Sequence, residues 1–341
     1  MLKISGIKIL KEGKGEILCK NTPSEVRKWT RENKSRALID KRMRIKEAVK
    51  KYVKDGDYLA IGGFGHIRIP MAIIYEIVRQ RIKNLSVAGH TAVQDIDMLM
   101  AGGCVSAVDI AYVVGFELRG LSGVQRRLFE SGQVKKTEYT NGAMSYRIRA
   151  GAQGVPFIPV KVMLGTDTMM HSPGKVVKCP FTGEKVLLLP SLNPDVCIIH
   201  AHRADMYGNV QIDGHIVKDD LQARASKRVI VMCEELISDD IIRQDPSKTV
   251  IPFYMVDAVV EQPWGSHPGN MPYKYYFDHK FTEDYLTVGR NKDPKVLEKW
   301  LEEWIYSLDS FDNYLEKLGP RRLYNLRDAE FLREPVGEIK K

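Results

Sequence analysis

The stretch Asp57-Tyr-Leu-Ala-Ile-Gly-Gly-Phe-Gly-His-Ile-Arg-Ile-Pro70 decides how the chain is read. Its apolar run, Tyr58 to Ile61, predicts a short buried strand. The run ends in Gly62, Gly63 and Gly65 around Phe64, and Pro70 opens an amphipathic segment, Met71 to Arg81. A strand that passes through glycines into a helix N-terminus presents backbone N–H groups at the carboxyl edge of a sheet. Residues without a Cβ let a ligand or another backbone come close. The plain alternative is an ordinary turn of an α/β protein, and this stretch alone does not separate the two.

Outward from it, the segments alternate. Ile45, Ala48, Val49, Tyr52 and Val53 fall at helical spacing before Asp55-Gly56-Asp57. Leu85 to Ala88, Val105 to Val114 and Gln133 to Tyr139 read as strands, with helices over Asp95 to Met100, Val124 to Ser131 and Ala143 to Ala152 between and after them. Further on, Lys185 to Leu189, Val196 to Ala201, Arg228 to Cys233 and Val256 to Val260 read as strands. Arg203 to Val210 reads as a hairpin, Asp219 to Ala225 as a helix, and Pro294 to Leu318 as two amphipathic helices. Such alternation predicts a mostly parallel sheet with helices on both faces, its ligand edge at the strand C-termini. The expected layout is a basic extension over 1–40, one body over 41–330 and a polar tail over 331–341.

Composition narrows the function. Of 52 Lys/Arg and 43 Asp/Glu, residues 1–54 hold 17 and 6, leaving 35 against 37 for the remainder. The surplus is an extension on a near-neutral body, which argues against a nucleic-acid groove. No apolar run approaches the ~20 residues of a membrane span, and Met1 to Leu10 lacks the apolar core of a signal peptide, so a cytoplasmic protein is expected. The five cysteines are scattered and form no CxxC pair, so no disulfide framework or zinc site is indicated. His200, His202 and His267 lack tight ligand spacing and are expected in core or interface roles rather than on a metal.

Four groups of residues together resemble the α subunits of family I CoA-transferases, the glutaconate type most closely. They are Gly62-Gly-Phe-Gly-His-Ile-Arg-Ile-Pro70; Tyr139-Thr-Asn-Gly142 with Arg149-Ala-Gly-Ala-Gln-Gly-Val-Pro156; Asp195-Val-Cys-Ile-Ile-His-Ala-His-Arg203 with Val259-Val-Glu-Gln-Pro-Trp-Gly-Ser-His-Pro268; and Tyr314-Leu-Glu-Lys-Leu-Gly319 with Arg321-Arg-Leu-Tyr-Asn-Leu326. The resemblance spans about residues 43–330. It implies an open, mostly parallel CoA-transferase sheet and an α subunit that works with a β subunit, in an α2β2 heterotetramer, on acyl-CoA and carboxylic acids. No cofactor beyond the CoA thioester substrate is implied.

In that family a glutamate attacks the thioester and carries CoA as a glutamyl thioester to a second acid, splitting one hard exchange into easier acyl transfers. Each transfer passes through an oxyanion that needs fixed donors. The nucleophile belongs to the β subunit. Thr140 stands at the equivalent place here, so the chain is expected to be inactive alone. The resemblance makes Asn141 the expected oxyanion donor; without it, Asn before Gly reads as a turn. Gly62, Gly63, Phe64, Gly65 and Gly142 are the expected wall against acyl-CoA, and Arg68 a clamp for a dicarboxylic acyl group or the CoA phosphates. Glu138 points to the face of Thr140 on an ideal strand. A related group of two-subunit ring-opening CoA-thioester hydrolases forms no glutamyl-CoA intermediate, and with a partner that lacks the nucleophilic Glu, Glu138 would serve as a base on water. A non-catalytic ligand-binding module on the same fold is the third reading.

Overall fold

The computed structural model describes residues 8–332 apart from 114 and 117–119. Val114, the first residues of the basic extension and residues 333–341 of the expected tail lie outside the described residues.

Tyr58–Ile61 forms the middle of a nine-stranded sheet. On one side lie Leu85–Gly89, Val105–Ile110 and Lys135–Glu138; on the other lie Val196–Asp205, Arg228–Ile237 and Ala258–Glu261, and all these neighbours pair in parallel. The chain thus starts in the centre, steps outward one way, returns and steps outward the other way. The direction reverses between Tyr58–Ile61 and Val196–Asp205, and such a switch point is where open α/β sheets leave a crevice. The short strand Val210–Gln211 extends the sheet antiparallel to the far end of Val196–Asp205, and Thr249–Ile251 pairs antiparallel with Val210–Gln211 in turn.

Both faces of the central strand are buried. Leu59 and Ile61 enter the core under the helices Met71–Arg79 and Gln94–Ala101, which also takes in Phe281, Tyr285 and Trp300. Tyr58 packs with Ala143, Met144 and Ile148 of the helix Asn141–Gln153, and Ala60 with Ala223 of the helix Asp219–Ala225. A strand buried on two sides reads as a continuous apolar run, which is why it stands out in the sequence. The two helices expected over Pro294 to Leu318 are Pro294–Leu301, prolonged by a π-helical turn, and Phe311–Leu318, and a further helix, Pro320–Leu332, follows them. No helix among the described residues is long and apolar enough to cross a membrane.

A second sheet, not foreseen, is antiparallel and four-stranded, in the order Lys11–Glu12, Lys175–Lys178, Lys185–Pro190, Phe157–Val160. Its first strand comes from the expected extension, which lies along the body. Cys19 is buried and accepts from the Asn193 N–H, Thr22 and Glu25 form a capping box on the helix Pro23–Asn33, and the Lys34 ammonium sits buried 3.0 Å from Asp257. Part of the arm's positive charge therefore serves its attachment. Burial pushes the thiols of Cys19, Cys104 and Cys233 up to about 12, so these cysteines serve as small hydrophobes.

Candidate active site

The glycine turn lies at the switch point, and its donors face inward. The N–H of Gly62 donates to the Ile198 carbonyl (2.8 Å), that of Gly63 to the Asp219 carboxylate (2.9 Å), that of Phe64 to Ile67 (3.0 Å) and that of Gly65 to Thr91 (2.7 Å). A Cβ on Gly63 would stand 2.3 Å from the Ile67 carbonyl oxygen, at φ +75°. These glycines let the protein's own backbone close up. At the start of the following helix the Met71 N–H donates to the Ile69 carbonyl and the Ala72 N–H to that of Gly265. The expected cradle of bare N–H groups is thus already filled by the chain itself. Only Gly65 keeps open space where a Cβ would project.

Arg68 shares that fate. Its side chain is fully buried, with Nη2 3.0 Å from Asp219 Oδ2 and 2.9 Å from the His215 carbonyl. The expected clamp for a ligand is turned inward, where it neutralises the carboxylate that caps Gly63. Breaking such a pair leaves a buried charge uncompensated, at a cost of about 3–5 kcal/mol. Its backbone sits at φ +53°, a strained setting for a side-chain-bearing residue, held by the bond from its N–H to the Asn270 carbonyl.

From this turn the strand ends are stitched to one another. Gly65 holds Thr91, Ala92 donates to the Tyr112 carbonyl, and Tyr139 donates to that of Ile110. The last of these corners is the outward one. Thr140 caps the helix Asn141–Gln153 by accepting the Ala143 N–H. Asn141 and Gly142 follow, both exposed, and a Cβ on Gly142 would meet only Val162 Cγ1, at 3.8 Å. Among the described residues their N–H groups have no protein acceptor, as befits the orphan donors of a first helical turn.

His90, which sequence reasoning did not single out, braces that corner. Its Nε2 lies 3.1 Å from the Asn141 carbonyl oxygen and 2.8 Å from Ser145 Oγ. Its own carbonyl accepts from the buried Lys218 ammonium at 3.0 Å. Burial, reinforced by the Lys218 charge, pushes the imidazole down to about 3 and keeps it neutral. Lys218 is itself held below the usual lysine range by burial, opposed by Asp95 and Asp219. The only local signal for His90 was a Gly-His pair after a strand, repeated from Gly65-His66.

Glu138 is partly exposed and 3.0 Å from the Lys136 ammonium. It lines a groove of ≈ 430 Å³ with Glu16, Lys136 and His171, and Asn141 does not line that groove. His200, His202 and His267 are engaged in the core. His200 Nε2 lies 3.0 Å from Glu234, His202 is bonded to the Pro272 carbonyl and the Asp213 N–H, and His267 lies between Tyr314 and Asp278.

Comparison with known proteins agrees with this fold. The family model described as Coenzyme A transferase matches residues 42–262. A protein of Archaeoglobus fulgidus is 49% identical over 330 residues, 96% of this chain and 73% of its own length. The α subunit of glutaconate CoA-transferase from Acidaminococcus fermentans is 37% identical over 306 residues, 85% of this chain and 95% of its own. The corresponding subunit of 3-oxoadipate CoA-transferase from Pseudomonas knackmussii is 32% identical over 280 residues, 81% and 97% of the two chains. The crystal structure of the Acidaminococcus fermentans glutaconate CoA-transferase superimposes with a TM-score of 0.81 over 84% of this chain and 95% of that one. On fold, sequence and coverage together, the chain belongs to the coenzyme A transferase family, among its α subunits.

Proposed function

We propose that the chain is the α subunit of a two-subunit enzyme that moves CoA between carboxylic acids, with the nucleophilic glutamate supplied by a β subunit in an α2β2 assembly. The observation that carries this reading is the corner at Thr140–Gly142. The hydroxyl of Thr140, at the place of the nucleophile, is taken up as a helix cap, while Asn141 beside it is presented to solvent. The carboxylates nearby are committed. Asp109 holds Arg147 and Tyr58, Asp219 holds Arg68, and Glu138 pairs with Lys136.

In the proposed cycle the partner's carboxylate attacks the thioester carbonyl, and the tetrahedral oxyanion accepts from the Asn141 side-chain amide. Collapse expels CoA thiolate and leaves a mixed anhydride. The thiolate then attacks the glutamyl carbonyl of the anhydride, releasing the first acid and forming the glutamyl-CoA thioester. A second carboxylate reverses the sequence. Gly65 and Gly142 leave room for the acyl-CoA, Phe64 lies beside them, and Gly62, Gly63 and Arg68 hold the wall from behind. The dicarboxylic acids in the names of the glutaconate and 3-oxoadipate relatives point to a dicarboxylic acyl group.

The test is CoA exchange between two acids, measured with the chain alone and with its partner. Exchange should require both chains, and turnover by this chain alone would sink the interface model. In the complex, Asn141→Ala should slow exchange by about 10²–10³, and an unchanged rate would return Asn141 to a turn role. Borohydride should trap the glutamyl thioester. CoA release with no acceptor acid and no trapped thioester would instead favour hydrolysis with Glu138 as the base.

A further inference from the structure

His90 follows the strand Leu85–Gly89 and is 3% exposed, its ring 5.7 Å from that of Phe64. Its Nε2 faces both the Asn141 carbonyl oxygen and Ser145 Oγ. A carbonyl can only accept, so the bond to Asn141 requires the proton on Nε2. Nδ1 meets no hydrogen-bond partner among the described residues. On its other side the residue is fixed by the bond from Lys218 to its carbonyl. A donor anchored in the sheet therefore grips the first turn of a helix whose opening residues are otherwise exposed.

We propose that His90 is a positioning residue for CoA transfer: by holding the Asn141 carbonyl and Ser145 it fixes the first helical turn, and with it the Asn141 side-chain amide, where the oxyanion develops. This rests on the reading of Asn141 as an oxyanion donor. An oxyanion donor acts only if held in place before the charge appears, and a displacement of about 1 Å can cost about 10²-fold. The Thr140 cap, the bond from the Met144 N–H to the Thr140 carbonyl and the burial of Ala143 and Met144 hold the turn from beneath. Asn141 and Gly142 are exposed and, among the described residues, His90 is the side chain that meets the Asn141 carbonyl.

The experiment uses the two-subunit enzyme and separates kcat from KM. His90→Ala should lower kcat by about 10-fold or more, with KM for acyl-CoA within about twofold. His90→Gln, whose amide N–H can reach the Asn141 carbonyl, should recover most of that loss, whereas the shorter His90→Asn should not. The deciding measurement is the double variant: His90→Ala added to Asn141→Ala should cause little further loss. If Asn141→Ala is slow and His90→Ala is as fast as wild type, or if the two losses multiply, the proposal falls and the role of Asn141 stands. If Asn141→Ala itself is unimpaired, both fall together. Should His90→Ala fail to assemble, the Gln–Asn pair decides: equal rates overturn the proposal.

Discussion

Two strand-to-helix corners on the same sheet edge are built in opposite senses. At Gly62–Arg68 the successive N–H groups of Gly62, Gly63, Phe64 and Gly65 are spent on protein acceptors, and the one arginine is sealed against Asp219. At Thr140–Gly142 a single hydroxyl caps the helix, and the next two residues are left exposed. The glycine-rich corner is the structural one and the polar corner is the presented one. Glycine permits close approach, but what approaches is here mainly the protein itself.

The contrast is broken first through Asp219. It receives the Gly63 N–H and the Arg68 guanidinium, both buried. Asp219→Ala should therefore cost about 3–5 kcal/mol, read from chemical denaturation. A loss below about 1 kcal/mol would show that the inner corner is not held from within.

Alanine at one glycine of each corner is the second test. Gly63→Ala forces a left-handed backbone, at about 1–2 kcal/mol, and an overlap with the Ile67 carbonyl worth about 1–3 kcal/mol more. Gly142→Ala meets only an ordinary contact with Val162 and should stabilise the helix by up to about 1 kcal/mol. Melting temperatures should move in opposite directions, and a shared direction would erase the distinction.

The third test is pH. Burial pushes Asp95 and Asp97, on the helix behind the inner corner, from 3.8 up to about 6, whereas Glu138 beside the outer corner stays partly exposed. The folded chain holds these two protons more tightly than the unfolded one. The stability they contribute is complete below about pH 4 and is lost as pH rises through about 6, on the order of 2–3 kcal/mol each. Asp97→Asn should flatten its share of the fall in melting temperature between pH 4 and 7. An unchanged slope would mean that Asp97 does not titrate in this window.

Much of this was legible. The strands Tyr58–Ile61 and Arg228–Ile237 declare themselves through apolar runs buried on both faces, and Asn141-Gly142 through its place after a strand, sharpened by the family resemblance. Of the small sheet, the strand Lys185–Pro190 was legible, and the strands it joins were not. Lys11–Glu12 and Lys175–Lys178 are short and polar, and their pairing joins residues far apart in the chain. The inward turn of Arg68 was hidden for the same reason, its carboxylate partner being 151 positions away. His90 gave only a Gly-His pair, because the bond that makes it interesting depends on a helix 51 residues on.

The sequence by itself determined the alternation of strands and helices, the family, and the polar pair Thr140-Asn141 after a strand. These rest on periodicity and local turn chemistry, which act over a few residues. Only the tertiary structure decided which corner faces out. That depends on where each N–H and each buried charge finds its partner, and for Gly63, Arg68 and His90 the partners come from distant segments brought together by the parallel sheet.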